Sequence, residues 1–249
     1  LLAWLKEHQP AVVLLQELKL EAHQFPYELL EDLGYNCAVA GQKRYNGVAI
    51  LSKSPLEDVQ IGLNAAQDPQ APPAPADEAR YIEALTAHDG QVWRVASVYV
   101  PNGKAVEAPQ FAYKCAFLAR LRERLQRLLP YEERLVVGGD YNVATTPEDV
   151  YDAASLEGTV CYHPHEREAL RAILHLGYYD AYRAMHPDAV AFSWWDYRGG
   201  RFQRDQGLRI DYLLLSPHAT DALRGCDIDR EVRGQDKPSD HAPVTASFA

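Results

Sequence analysis

In the segment LVVGGDYN an apolar run passes through two glycines and delivers Asp140 and Asn142 at its end. Residues two apart on extended backbone point the same way, so the pair is expected to project into one space, with the glycines admitting a close neighbour. A carboxylate beside an amide suits phosphoryl transfer: Asp140 can orient or deprotonate a water, and the uncharged Asn142 can donate to a phosphate oxygen without repelling it. The same letters also fit a plain Gly-Asp-x-Asn turn.

A second pairing comes from LRIDYLLLS and PSDHAPV. Asp211 lies in an otherwise apolar run, and a carboxylate taken out of water costs several kcal/mol on the order expected for an uncompensated ion, so it needs a partner. Asp240 and His241 stand on a turn between Pro238 and Pro243, and an imidazole facing Asp211 would keep one tautomer and hold positive charge. Backbone amides around Asp211 are the plainer alternative. Glu17 follows the apolar run AVVLL and offers a carboxylate at a strand end, which is equally the place of a solvated turn acid. Tyr99 closes VWRVASVYV ahead of Pro101, Asn102 and Gly103, placing a hydroxyl at a strand end. FSWWDYRGGRFQR brings Trp194 and Trp195 beside Arg198, Arg201, Arg204 and the nearby Arg209, a mixture suited to stacking on a base or sugar while Arg grips phosphates. Adjacent tryptophans on a strand face opposite sides, so one of the two belongs to the core.

These side chains need strands to carry them. Strand-like runs occupy residues 11–15, 47–51, 81–87, 92–100, 135–139, 208–215 and 244–248. Helical periodicity appears over 110–129, with Phe111, Cys115, Leu118, Leu121, Leu125 and Leu128 on one face, and over 166–176, with Gly177 as its C-cap. The chain also opens on an apolar helical face of Leu1, Leu2, Trp4 and Leu5. Helices and strands therefore alternate in one α/β chain. The segment 68–77, DPQAPPAPAD, reads as a flexible surface loop inside a single domain spanning 1–249.

The chain has 249 residues, 47% of them hydrophobic, enough for a sizeable core. No apolar stretch reaches the roughly 20 residues of a membrane span, and Lys6 and Glu7 interrupt the start where a signal peptide would stay apolar, so a cytoplasmic location follows by default. Four scattered cysteines without a Cys-x-x-Cys pair argue against a zinc ribbon or redox pair and read as mostly buried thiols. With 35 acidic against 25 basic residues the net charge is −10, unfavourable for a polyanion binder unless the basic residues cluster, as they do near 198–209 and again at Lys43 and Arg44.

Taken together, QEL at Gln16, NGVAILS at Asn46, SVYVPNG, GGDYN, FSWWDYR, GLRIDYLLLS and KPSDHAPV resemble the exonuclease III and abasic (AP) endonuclease family of the endonuclease/exonuclease/phosphatase superfamily, over essentially the whole chain. The resemblance implies a four-layer α/β/β/α sandwich, two mixed sheets packed face to face with helices outside. It implies Glu17 as metal ligand with Asp240 near the metal, Asp140 and Asn142 for water and phosphate, Asp211 oriented against His241, and Tyr99 and Asn102 on the phosphate. Arg80 and Trp194 would meet DNA near the scissile bond, with Arg198, Arg201 and Arg204 on phosphates further away. Cys161 and Tyr162 would narrow the pocket. Family members carry an N-terminal strand whose Asn supports the metal site, and no counterpart precedes Leu1, so the chain is expected to lack that strand.

The implied protein is a monomeric Mg²⁺-dependent DNA-repair phosphodiesterase, with Mn²⁺ able to substitute. It would act on double-stranded DNA at 3′ ends, as 3′–5′ exonuclease and 3′-phosphatase, and by extension at abasic sites. Magnesium suits the all-oxygen candidate ligands better than zinc. Two alternatives share the fold: a phosphoesterase for a lipid or nucleotide, and a silent binding relative. The arginine and tryptophan segment counts against the first. The presence of Glu17, Asp140, Asn142, Asp211, Asp240 and His241 counts against the second.

Overall fold

A computed structural model describes residues 1–63 and 78–249. The proline-rich segment 68–77 lies outside the described residues. The chain divides into two compact units, residues 1–99 with 133–139, and residues 100–132 with 140–249.

The first unit is built on two sheets. The apolar run AVVLL forms β1 (Val12–Gln16), which pairs antiparallel with β3 (Val48–Ser52) from Val12↔Ser52 to Gln16↔Val48. On the other side of β3 lies β2 (Asn36–Ala40), antiparallel from Asn36↔Ser52 to Ala40↔Val48. Every residue of β3 is buried, as a continuous apolar run on a central strand requires. The second sheet orders β4 (Glu57–Ile61), β5 (Tyr81–His88), β6 (Gln91–Tyr99) and β7 (Arg134–Asp140), whose last residue begins the second unit. Asp89 and Gly90, with φ of 50° and 74°, close the β5–β6 hairpin, the two left-handed positions that an Asp-Gly turn supplies. At Gly139 a Cβ would lie 1.9 Å from the Val98 carbonyl oxygen, so β7 reaches that position only with glycine.

The two sheets pack through β3 against β5 and β6. Helices α1 (Leu2–His8) and α2 (Tyr27–Glu31) add Leu5 and Leu30 to a cluster with Phe25, Tyr35, Ala49 and Leu51.

The second unit holds α3 (Pro109–Leu128), α4 (Ala153–Leu156), α5 (Pro164–Leu174), α6 (Ala181–Met185), α7 (Pro217–Ala222) and α8 (Arg230–Arg233). Its strands are β8 (Tyr179–Asp180), paired with β9 (Asp211–Leu215), and β10 (Leu223–Ile228), paired antiparallel with β11 (Val244–Phe248). Helix α3 packs on α5 with Phe111, Lys114, Phe117, Leu118, Leu121, Leu125 and Leu128 buried. The sequence places Cys115 on that face, but the structure buries Lys114 completely and leaves Cys115 half-buried. Helix α5 begins at Pro164, two residues before its expected start, because His163 caps it and Glu166 reaches back to the His163 amide at 2.9 Å. The expected strand 208–215 is shorter, since Leu208 bridges Trp194 and Val150 instead of entering β9. Among the described residues no helix is long and apolar enough to cross a membrane.

Candidate active site

In the first unit the chain leaves β1 at Gln16, whose side-chain amide donates to Ser97 Oγ at 2.8 Å. Glu17 then adopts a left-handed φ of 55°, and Leu18 and Lys19 donate their amides to the carbonyls of Gly47 and Asn46. Only glycine fits at 47, where φ is 93° and a Cβ would sit 2.8 Å from Leu18 Cβ. The turn thus holds the Glu17 carboxylate 41% exposed, 2.7 Å from Lys19 Nζ and accepting from the Tyr99 hydroxyl. Arg80 lies over the Tyr99 ring at 4.8 Å, donates to the Tyr99 carbonyl at 3.3 Å and pairs with Glu78. Glu17, Tyr99 and Arg80, widely separated in sequence, are therefore neighbours.

In the second unit Asp140 is fastened by its own turn. Asn142 donates its backbone amide to Asp140 Oδ1 and its side-chain Nδ2 to Asp140 Oδ2, both at 2.8 Å. The two residues meet for a different reason than extended alternation: Asn142 has a φ of 52°, so the chain has already turned, and it is this left-handed turn that folds the amide back onto the carboxylate. Asn142 Nδ2 also donates to the Val100 carbonyl at 3.0 Å, and Asn142 Oδ1 accepts from Asn102 Nδ2 at 2.9 Å. In this arrangement both side-chain hydrogens of Asn142 are committed, so a phosphate contact requires one to be released.

Asp211 and His241 meet. His241 Nδ1 lies 2.9 and 3.1 Å from the two Asp211 oxygens. Burial alone would lower the imidazole pKa, but the charge of and hydrogen bond to Asp211, with Asp140 and Asp240 adding to them, raise it to about 10. Sequence reasoning overlooked Ser193, which is buried and ties this pair to the backbone. Its Oγ donates to Asp211 Oδ2 at 2.6 Å and accepts from the amides of Ile210 and Asp211, both at 3.1 Å. The only signal in the sequence is its place before the tryptophan pair. Around it, residues 193–195 bond to Leu208 on one side and to Asp240 and Ala242 on the other, fixing the turn that carries His241.

Trp195 is the core tryptophan, 1% exposed, with its indole on Asp205 at 3.2 Å. Trp194 faces the other way, half-buried, and donates Nε1 to Asp240 Oδ2 at 3.0 Å. The basic group splits. Arg198 is 89% exposed and grips Asp196 through both carboxylate oxygens, Arg201 donates to the Tyr151 hydroxyl and to Gln206, and Arg204 donates to Gln206. Arg209 is no part of a surface cluster: it is fully buried, 2.7 Å from both Asp149 and Asp180, as an ion among core residues must be paired. Cys161 and Tyr162 are buried in one apolar cluster, Cys161 with its sulfur 4.0 Å from Asn102 Nδ2.

The endonuclease/exonuclease/phosphatase family matches residues 1–241. The chain is 31% identical to exodeoxyribonuclease III of Haemophilus influenzae, over 99% of this chain and 92% of that protein. Among solved structures, the AP endonuclease from Archaeoglobus fulgidus superposes with a TM-score of 0.91 at 36% identity, covering 100% of this chain and 92% of the other. The 3′ phosphatase NExo from Neisseria, bound to product DNA hairpin, gives 0.90 at 38% identity, covering 99% and 92%.

The chain belongs to the endonuclease/exonuclease/phosphatase family. It sits in the exonuclease III and AP endonuclease branch, shares that branch's α/β fold of packed sheets and helices, and is a hydrolase of phosphodiester bonds.

Proposed function

We propose that this chain is a DNA-repair phosphodiesterase that uses Mg²⁺, with Mn²⁺ able to substitute, and works at DNA 3′ ends as exonuclease and 3′-phosphatase, and at abasic sites. It acts as a cytoplasmic monomer on double-stranded DNA. The observation that carries this reading is the geometry of the second unit's groups: the His241 imidazole 2.9 Å from Asp211, and a buried carboxylate, Asp140, fastened through both oxygens by Asn142.

Each group has one job. Asp140, fixed in orientation by the two hydrogen bonds from Asn142, orients the attacking water and accepts its proton. With Nδ1 turned to Asp211, His241 donates from Nε2 to a phosphate oxygen as negative charge grows there. The raised pKa makes His241 a donor and leaves Asp140 as the base. Asn102, Asn142 and Tyr99 supply uncharged donors to the phosphate. Trp194 and Arg80 pack against the nucleotide at the reacting end, and Arg198, Arg201 and Arg204 meet more distant phosphates.

Among the described residues there is no group of three or more His, Cys, Asp and Glu side chains arranged to hold a metal. The candidate ligands are the carboxylates of Glu17 and Asp240, oxygen donors that fit a hard divalent cation. Held there, such an ion would supply neutralisation of the charge on a phosphate oxygen and on the departing oxygen. Lys19 lies 2.7 Å from Glu17 and holds a positive charge against it in this structure.

Three duplexes test the proposal: one with a recessed 3′ end, one with a 3′-phosphate and one with an internal abasic analogue. Mg²⁺-dependent release of nucleotide or phosphate, or incision, is expected. No product from any of them, with a lipid or mononucleotide phosphoester cleaved instead, would contradict it.

A further inference from the structure

We propose that Lys114, a residue outside the groups assigned above, is a positioning residue for the reaction, holding the backbone of Asn102 and Asn142 in place from behind. The inference rests on the reading of these two asparagines as phosphate-side groups.

Lys114 occupies a core position of α3, in the buried stripe between Phe111 and Leu118, and is 0% exposed. An apolar side chain would be the ordinary choice there, because a buried ammonium is stable only when paired and hydrogen-bonded. This one donates to the Asn102 carbonyl at 3.1 Å and the Asn142 carbonyl at 2.6 Å, and is ion-paired with the Glu166 carboxylate, also fully buried.

The two carbonyls explain the choice. β7 ends at Asp140, so the Asn142 carbonyl lies beyond the sheet, in a left-handed turn, and a buried carbonyl without a donor is costly. Lys114 satisfies it and, with the same group, the turn at Asn102, whose side chain donates to Asn142 Oδ1. Glu166 neutralises the charge and anchors it to α5, since its other oxygen accepts the His163 amide at 2.9 Å. Two packed helices thus hold the loop that fastens Asp140.

A purely structural salt bridge and a positioning residue predict different kinetics. The variants Lys114→Met and Lys114→Met/Glu166→Gln, the second removing both buried charges, are assayed for kcat on the recessed duplex, below their melting temperatures. Leu118→Val serves as a packing control on the same helix. At least a tenfold loss of kcat is expected for both Lys114 variants, against less than twofold for Leu118→Val. In an Asn102→Ala/Asn142→Ala background the Lys114→Met loss should shrink to less than twofold, because the positioned groups are gone. A loss of equal size in both backgrounds, or a folded double-charge variant with unchanged kcat, would overturn the inference while leaving the proposed function standing. If Asn102→Ala/Asn142→Ala itself keeps full kcat, the asparagine assignment fails and the inference falls with it.

Discussion

His241 is held between two demands, burial that disfavours charge and a ring of carboxylates that favours it, and the carboxylates win. Its folded pKa of about 10 lies above the ordinary 6.5, so the stabilisation is fully present below pH 6.5 and lost as pH rises through about 10. In the metal-free protein, NMR titration should find the imidazole still protonated at pH 8, and Asp211→Asn should bring its midpoint down. A wild-type midpoint near 6.5 would mean that the pair does not form in solution. His241→Ala and Asp211→Asn should each cut kcat by about 100-fold or more, and the double variant should lose little beyond either, because the two act as one unit. Full additivity would contradict this. The partnership was legible in the sequence because an acid in an apolar run demands a counter-group. Ser193 and Lys114 were not: a serine beside two tryptophans carries no pattern, and helical periodicity favours the apolar Cys115 over a lysine whose two carbonyls and paired carboxylate come together only in the fold.

At the scale of elements, the strands that carry the site were readable from apolar runs, since β1, β3, β5, β6, β7 and β11 overlap the expected segments closely. The strands β2, β4, β8 and β10 were missed. β4 (EDVQI) is exposed along its whole length and β10 (LRGCDI) mixes Arg, Gly and Asp, so burial leaves little trace in either. The turn at Asn142 shows the limit of periodicity: strand alternation led to the right neighbours through the wrong geometry. Alternation did separate the tryptophans correctly, with Trp195 in the core and Trp194 facing Asp240. Because the Trp194 indole holds Asp240, Trp194→Phe should keep the ring yet raise the Mg²⁺ midpoint for activity. Trp194→Ala should lower turnover further, by about 1 to 3 kcal/mol for a lost stacking contact, while leaving the salt dependence of DNA binding unchanged. Equal kinetics for Trp194→Phe and wild type would remove Asp240 from metal binding.

Over the whole molecule, a net charge of −10 opposes DNA, so affinity must come from local basic groups. Arg198, Arg201 and Arg204 are held by Asp196, Gln206 and Tyr151, partners that the proposed function has them exchange for phosphates. Replacing any one with Ala should raise KM and flatten the log–log salt slope of binding by about one unit. An unchanged slope would place the DNA elsewhere on the surface. The central claim is that a divalent cation on Glu17 serves a hydrolysis carried by the chain's own Asp140 and His241. Its most direct test is single-turnover cleavage of the recessed duplex across an Mg²⁺ titration, for wild type and Glu17→Gln, with an excess-EDTA arm. Cleavage should vanish in EDTA and return with added Mg²⁺, and the Mg²⁺ midpoint should move upward in Glu17→Gln because an amide is a poorer ligand than a carboxylate. Undiminished cleavage in EDTA, or an unshifted midpoint, would contradict it.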